Sequence, residues 1–266
     1  DAKPKLDTGD TAWLLTSTVI VLLMTIPGVA LFYAGMAQKK NILSVLMQSF
    51  TVTCLVSIIW MIAGYSLAFS KGDNSYVGNL ELAFLDHLKT ETINGTIPDA
   101  LFVIFQMTFA IITAALITGA IAERMKFSAL LWFLGLWSII VYSPVTFWVW
   151  GGGFLGDAGV LDFAGGTVVH INSGIAALVA CIMLGKRSGY GKENLAPHNL
   201  VLTVIGGSLL WVGWFGFNAG SALGSNGGAA MAMTVTQIAA AAAGLSWMFC
   251  EWMVHKKPTI LGVVSG

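Results

Sequence analysis

Of the four histidines in this 266-residue sequence, His170 alone falls deep inside an apolar run. His87 and His198 sit in polar connecting segments, and His255 adjoins Lys256-Lys257. A neutral imidazole offers one donor and one acceptor nitrogen. The helical neighbours of His170 are Gly166, Thr167, Ser173 and Gly174. All are small, so the ring stands on a face that another helix or a narrow lumen can approach. Two readings stay open: an interhelical hydrogen bond, or an ionisable group held at membrane depth for transport. Asp162 precedes Gly165-Gly166 and the same apolar run. It reads as a helix N-cap, a carboxylate that accepts orphan backbone N–H groups. A cap there also fixes the helix that presents His170.

Aromatic residues supply the next candidates. Phe102, Phe105 and Phe109 recur on one helical face, a spacing that fits core or lipid packing better than a pore. Trp148 and Trp150 close another run, and Trp at a membrane interface is ordinary. Trp150 is followed by Gly151-Gly152-Gly153, which leaves room around its ring. A bare indole face attracts a small cation by roughly 0.5–2 kcal/mol; packing and cation binding stay equally open here. Glu251 lies four residues before His255, which reads as a local pair or a solvated face rather than a proton relay. Cys54, Cys181 and Cys250 lie within apolar runs and read as small buried hydrophobes. They show neither a disulfide framework nor a metal spacing. No nucleophile–base pair, metal cluster or phosphate loop stands out, so neither an enzyme nor a cofactor is expected.

Such residues must be positioned by elements that live in a membrane. Hydrophobic residues make up 56% of the chain and charged residues 10%, against about 25% charged in soluble domains. Mean hydropathy is +0.81. With 15 Phe and 10 Trp the chain cannot stay disordered, and its zero net charge argues against a nucleic-acid partner. A spanning helix needs about 20 apolar residues. Seven runs qualify: 11–33, 42–69, 100–122, 127–150, 165–184, 200–218 and 228–254, with an eighth starting at Thr259. The runs are too long and too uniform for barrel strands. Pro27 and Pro144 fall within runs, where neighbouring helices can satisfy the freed backbone groups. The fold class is therefore an all-α polytopic membrane protein.

Charge sets the expected orientation. With the N-terminus outside, outer segments hold Lys3, Lys5, Lys71 and Lys89, and inner segments hold Lys39, Lys40, Arg124, Lys126, Lys186, Arg187, Lys192, Lys256 and Lys257. Residues 1–10 are polar and fit a chain that begins after a removed signal peptide. Asn94-Gly95-Thr96, in the longest outer loop, reads as a chance sequon. Phe32-Tyr33-Ala34-Gly35 and Phe217-Asn218-Ala219-Gly220 both follow the pattern Phe-x-Ala-Gly at the exit of a run, the first and the sixth. Five runs separate their starts, so the second copy enters from the opposite face, as in inverted-repeat transporters.

The stretch Asp162-Phe-Ala-Gly-Gly-Thr-Val-Val-His170-Ile-Asn-Ser-Gly174, continuing to Gly185-Lys186-Arg187, resembles the signature of the ammonium transporter (Amt/Mep/Rh) family, most closely the bacterial ammonium channels. Further segments resemble the family in order: Thr25-Ile-Pro-Gly28, Leu31-Phe-Tyr-Ala-Gly35, Gly119-Ala-Ile-Ala-Glu-Arg124, Trp150-Gly-Gly-Gly153 and Trp214-Phe-Gly-Phe-Asn-Ala-Gly-Ser221.

The resemblance implies a fold of eleven helices with an inverted 5+5 repeat. Residues 1–198 would be the first repeat and 199–266 part of the second, with helices 6, 7 and the start of 8. It implies a homotrimer with one pore per subunit in the cell membrane, plasma or inner. Trp150, Ser221 and Phe109 would bind ammonium, Phe109 and Phe217 would form the pore gate, and His170 would be the first of two pore histidines, supported by Asp162. The second pore histidine belongs to a tenth helix beyond Gly266. The sequence is thus expected to be C-terminally incomplete and to lack a closed pore, with transport a property of the intact parent. The implied activity is recruitment of ammonium (methylammonium as analogue), its deprotonation and the passage of ammonia. The implied partners are membrane lipid and, from bacterial relatives, a PII-type regulator. An ammonium-sensing receptor joined to a signalling module is the alternative. A neutral-gas channel is disfavoured, since Trp150 and Ser221 would then recruit a cation to no purpose.

Overall fold

The computed structural model describes residues 5–266; Lys3 and the first part of the polar lead lie outside the described residues. Seven helices are long and apolar enough to cross a membrane: α1 (Thr8–Met36), α2 (Lys39–Phe69), α3 (Asp99–Ile121), α4 (Phe127–Asp157), α5 (Gly166–Leu184), α6 (Leu200–Ala219) and α7 (Gly227–His255). A short α8 (Ile260–Ser265) follows, capped by the Thr259 hydroxyl, which accepts the Gly262 N–H. Each apolar run is thus a helix. The largest difference is α4, which resumes for one turn, Phe154–Asp157, beyond a break at residues 151–153.

Burial identifies the centre. In the apolar window of α3, 78% of residues are buried, against 11% in α7. α3 is thus the core helix of the bundle, and α7 is largely uncovered by the other described helices. Met183, Leu43 and Trp132 point outward, as expected of side chains that meet acyl chains rather than water.

α1 and α6 pack antiparallel along their length, with glycines at the contacts. Gly35 lies against Thr203, Gly206 against the Phe32 backbone, Gly213 against Met24, Gly216 against Ile20 and Gly220 against Ser17. The partners fall along α6 as they rise along α1, which fixes the antiparallel sense. Small residues let helix backbones approach where water supplies no hydrophobic drive. α1 breaks at Ile26, whose φ of −120 and ψ of 108 are extended, and α6 contains a wide π-turn at Phe215–Ala219. Similar turns occur at Trp60–Gly64, Ser138–Tyr142 and Gly166–Ile171. Pro27 follows the break at Ile26, and Pro144 lies just after the wide turn at Ser138–Tyr142, so each interior proline falls where the helical ladder is already interrupted or widened.

The face that carries the N-terminus is closed by the 70–98 connection. There β1 (Ile93–Asn94) pairs antiparallel with β2 (Ile97–Pro98). Gly95 turns the hairpin with φ +60, so Asn94-Gly95 is a tight-turn signal. Asp10 accepts the Thr96 hydroxyl at 2.5 Å and the Ser225 N–H at 2.7 Å, joining α1 to both neighbouring loops.

Candidate functional site

α3 supplies Phe109, and the π-turn of α6 supplies Phe217; both side chains are buried. Their ring centroids lie 4.3 Å apart with planes at 32°. Phe105 abuts Phe109 edge-on at 5.0 Å. Above this pair, the Trp150 ring meets Phe109 at 6.0 Å and 82°. Below it, the His170 ring lies 5.7 Å from Phe217. Trp150, Phe109, Phe217 and His170 therefore form one aromatic column running from the N-terminal face into the bundle, built by α4, α3, α6 and α5.

Asp162 anchors two members of that column. Its Oδ1 accepts the N–H groups of Gly165 and Gly166 at 2.5 and 2.8 Å, and its Oδ2 those of Thr167 and Val168 at 2.8 and 2.9 Å. These are orphan donors at the start of α5. Its backbone carbonyl accepts Trp150 Nε1 at 2.9 Å. One residue thus fixes the indole plane and starts the helix that presents His170. Gly165 turns into that helix with φ +105, a conformation glycine adopts without strain.

A cavity of about 410 Å³ opens beside the column, walled by Phe102, Gln106, Phe109, Trp150, Ser221 and Leu223 among others. The Ser221 hydroxyl donates to the Phe217 carbonyl at 2.7 Å, which leaves its lone pairs free as acceptors. The structure thus brings Trp150, Ser221 and Phe109 to one cavity, with Phe217 packed against Phe109 and His170 beside Phe217. Gln106 is the polar cavity residue that the sequence did not single out. Its only signal is its place one turn before Phe109.

Several readings change. The glycines after Trp150 do not make room for its ring: a side chain at Gly151 would strike the Ala68 carbonyl and Phe147, and Gly152 turns with φ +90. They let the chain reverse against α2. The His170 ring is exposed, and no hydrogen bond among the described residues involves its nitrogens. Side chains added at Gly166 and Gly174 would meet nothing, so no described helix covers this face. Glu251 does not pair with His255; its carboxylate accepts the Thr259 N–H and hydroxyl at 2.7 and 2.8 Å. Cys54 and Cys250 are exposed on α2 and α7 rather than buried. Trp148 donates to the Tyr76 carbonyl at 2.6 Å and so holds the 70–98 connection.

At the opposite face, Glu123 joins three segments. Its Oε1 accepts the Gln38 N–H at 2.7 Å and Asn41 Nδ2 at 2.8 Å, and its Oε2 meets Arg187 at 3.1 Å. Burial pushes this carboxyl up, but Asn41, the Gln38 N–H and Arg187 together outweigh it and hold it below the ordinary carboxylate range. Among the described residues no group of three His, Cys, Asp or Glu could hold a metal.

A model described as the Ammonium Transporter Family matches residues 12–266. The chain belongs to the ammonium transporter family. It is 53% identical to an ammonium transporter of Bacillus subtilis over 97% of its own length and 63% of that protein's. It is 48% identical to one of Aquifex aeolicus, with 100% and 62% covered. The crystal structure of Candida albicans Mep2 superposes with a TM-score of 0.90 at 39% identity, covering 99% of this chain and 59% of Mep2. A structure named Sensor Amt Protein superposes with a TM-score of 0.89 at 30% identity, with 97% and 65% covered. This chain thus spans roughly three-fifths of the length of these ammonium-transporter relatives.

Proposed function

We propose that the protein moves ammonium nitrogen across a cell membrane, plasma or inner, by admitting ammonium and passing ammonia. The observation that carries this reading is the convergence of Trp150, Ser221 and Phe109 on one cavity with Phe217 and His170 in line below it. The Trp150 face and the Ser221 lone pairs attract a cation that can donate hydrogen bonds. The Phe109–Phe217 pair then bars any ion that keeps its charge, because an unpaired charge among apolar groups is very costly. Ammonium can leave its proton in water and pass as neutral ammonia; potassium, of similar size and equal charge, cannot. His170 offers the neutral molecule a polar contact below the gate. Asp162 supports the site by position: its carboxylate already serves four N–H groups.

The reading extends to an outward N-terminus, to residues 1–198 and 199–266 as parts of two inverted repeats, to a homotrimer with one pore per subunit, and to a PII-type regulator at the inner face. The test uses the whole protein in proteoliposomes. Trp150→Leu and His170→Ala are each expected to lower methylammonium uptake at least several-fold, and ammonium-driven current shows whether the proton accompanies the nitrogen. Unchanged uptake and current in both variants would overturn the residue assignments. A second reading, an ammonium receptor, is favoured by the likeness to the structure named Sensor Amt Protein. It predicts saturable ammonium binding without uptake.

A further inference from the structure

Gln106 has no part in the scheme so far, yet it sits in the cavity wall. It lies on α3, one turn before Phe109, and only 9% of it is exposed. Its Oε1 is buried and has no hydrogen-bond partner among the described residues. The other polar groups at this wall are engaged. Trp150 Nε1 donates to the Asp162 carbonyl, the Ser221 hydroxyl donates to the Phe217 carbonyl, and both Asp162 carboxylate oxygens hold backbone N–H groups. A buried amide oxygen without a donor is unfavourable, and native structures keep few such groups. As it stands the oxygen is turned away from the cavity surface; rotation about the last side-chain torsion exchanges oxygen and nitrogen, which presents the acceptor to the cavity and puts the NH2 group in the oxygen's place without moving the stem.

We propose that the Gln106 carboxamide oxygen accepts an N–H from the cation bound beside Trp150 and Ser221, and that it sets the preference of that site among ammonium and its N-methyl derivatives. The proposal rests on the cation-site reading given above. Ammonium points four N–H bonds at tetrahedral directions. Ser221 and Gln106 take two, and the Trp150 face screens the charge. Each N-methyl group removes one donor: methylammonium keeps three and dimethylammonium two, enough for both acceptors, whereas trimethylammonium keeps one and must leave an acceptor empty. Potassium needs a nearly full shell of oxygens to replace its water, and two acceptors on one side of an aromatic cavity do not provide it.

The experiment measures the half-saturating ammonium concentration, maximal uptake, and the trimethylammonium concentration that halves ammonium uptake, for the whole protein in proteoliposomes. Gln106→Leu removes the acceptor at similar volume. It is expected to raise half-saturating ammonium roughly tenfold, the share of one hydrogen bond to a charged group. It is also expected to shrink the preference for ammonium over trimethylammonium, which has a single N–H, and loss of packing alone would not do that. Gln106→Glu keeps an oxygen acceptor and is expected to keep or lower the half-saturating concentration. Should the Leu variant fail to insert, Gln106→Met replaces it, being unbranched and nearly acceptor-free. A Leu or Met variant with wild-type half-saturation and preference, beside a defective Trp150→Leu, overturns the Gln106 assignment alone. So does a Glu variant as impaired as Leu. Absence of saturable ammonium handling in the wild type removes the cation-site reading and this proposal together.

Discussion

At the scale of single residues, Asp162 is the member of the site whose role the geometry constrains most. Two oxygens serve four N–H groups at 2.5–2.9 Å, so few lone pairs remain to receive a proton from ammonium. Asp162→Ala orphans all four donors. Loss of a cap alone costs about 0.5–2 kcal/mol, and bonds to a charged acceptor lie toward the upper end or beyond it. Asn keeps one acceptor oxygen and about half of the bonds. Melting temperature and uptake are therefore expected to fall together, with Asn between wild type and Ala. An Asn variant as inactive as Ala but as stable as wild type would make Asp162 a base instead. His170, Trp150 and Asp162 were legible from residue type and place, since ionisable and interfacial groups are rare in apolar runs. Phe217 was not: among 15 Phe only resemblance marked it, because its partner Phe109 comes from a distant helix. Gln106 was not legible, because its missing partner is visible only in the folded cavity.

At the scale of elements, the seven helices were legible because the bilayer sets their length. The wide turns were not, since one extra residue per turn leaves hydropathy unchanged. The glycine contacts between α1 and α6 were only partly legible. The exit pattern ending in Gly35 and Gly220 marked both helices, but their antiparallel register is a matter of packing. The connections offer a sharper test through Glu123, which joins the α1–α2 link, the end of α3 and the segment after α5. Its carboxyl is held below the ordinary range in the folded protein. Its contribution to stability is therefore full above the unfolded-state value and is lost as pH falls through the lower, folded value. Glu123→Gln keeps the size but weakens the Arg187, Asn41 and Gln38 bonds, each worth roughly 1.5–3 kcal/mol when one partner is charged and less when exposed. Near neutral pH the variant is expected to melt below wild type. The gap should close as pH falls below the ordinary carboxylate range, where the wild-type carboxyl also protonates. A gap constant from neutral to acid pH would show that the charge of Glu123 contributes nothing.

At the scale of the whole molecule, the proposed direction of recruitment depends on which face of the bundle meets the exterior. The cavity beside Trp150 shares a face with the N-terminal end of α1, the 70–98 connection and the loop after α6. On that face the described basic residues are Lys5, Lys71 and Lys89; the opposite face carries Lys39, Lys40, Arg124, Lys126, Lys186, Arg187, Lys192, Lys256 and Lys257. Basic residues in short loops stay on the cytoplasmic side, so the proposed orientation has the cavity opening outward and the Glu123 junction inside. The native cysteines all lie within helices, Cys54 and Cys250 on exposed surfaces and Cys181 half-buried. Replacing them with Ala leaves a background for single thiols in the loops. In intact cells a membrane-impermeant thiol reagent is expected to label Lys89→Cys but not Lys192→Cys, and to reach the second only after permeabilisation. The opposite pattern would turn the cavity toward the cytoplasm and make Trp150 and Ser221 an exit rather than an entrance. Labelling of both in intact cells would instead require the chain to insert in two orientations, a result that its excess of basic residues on one face argues against.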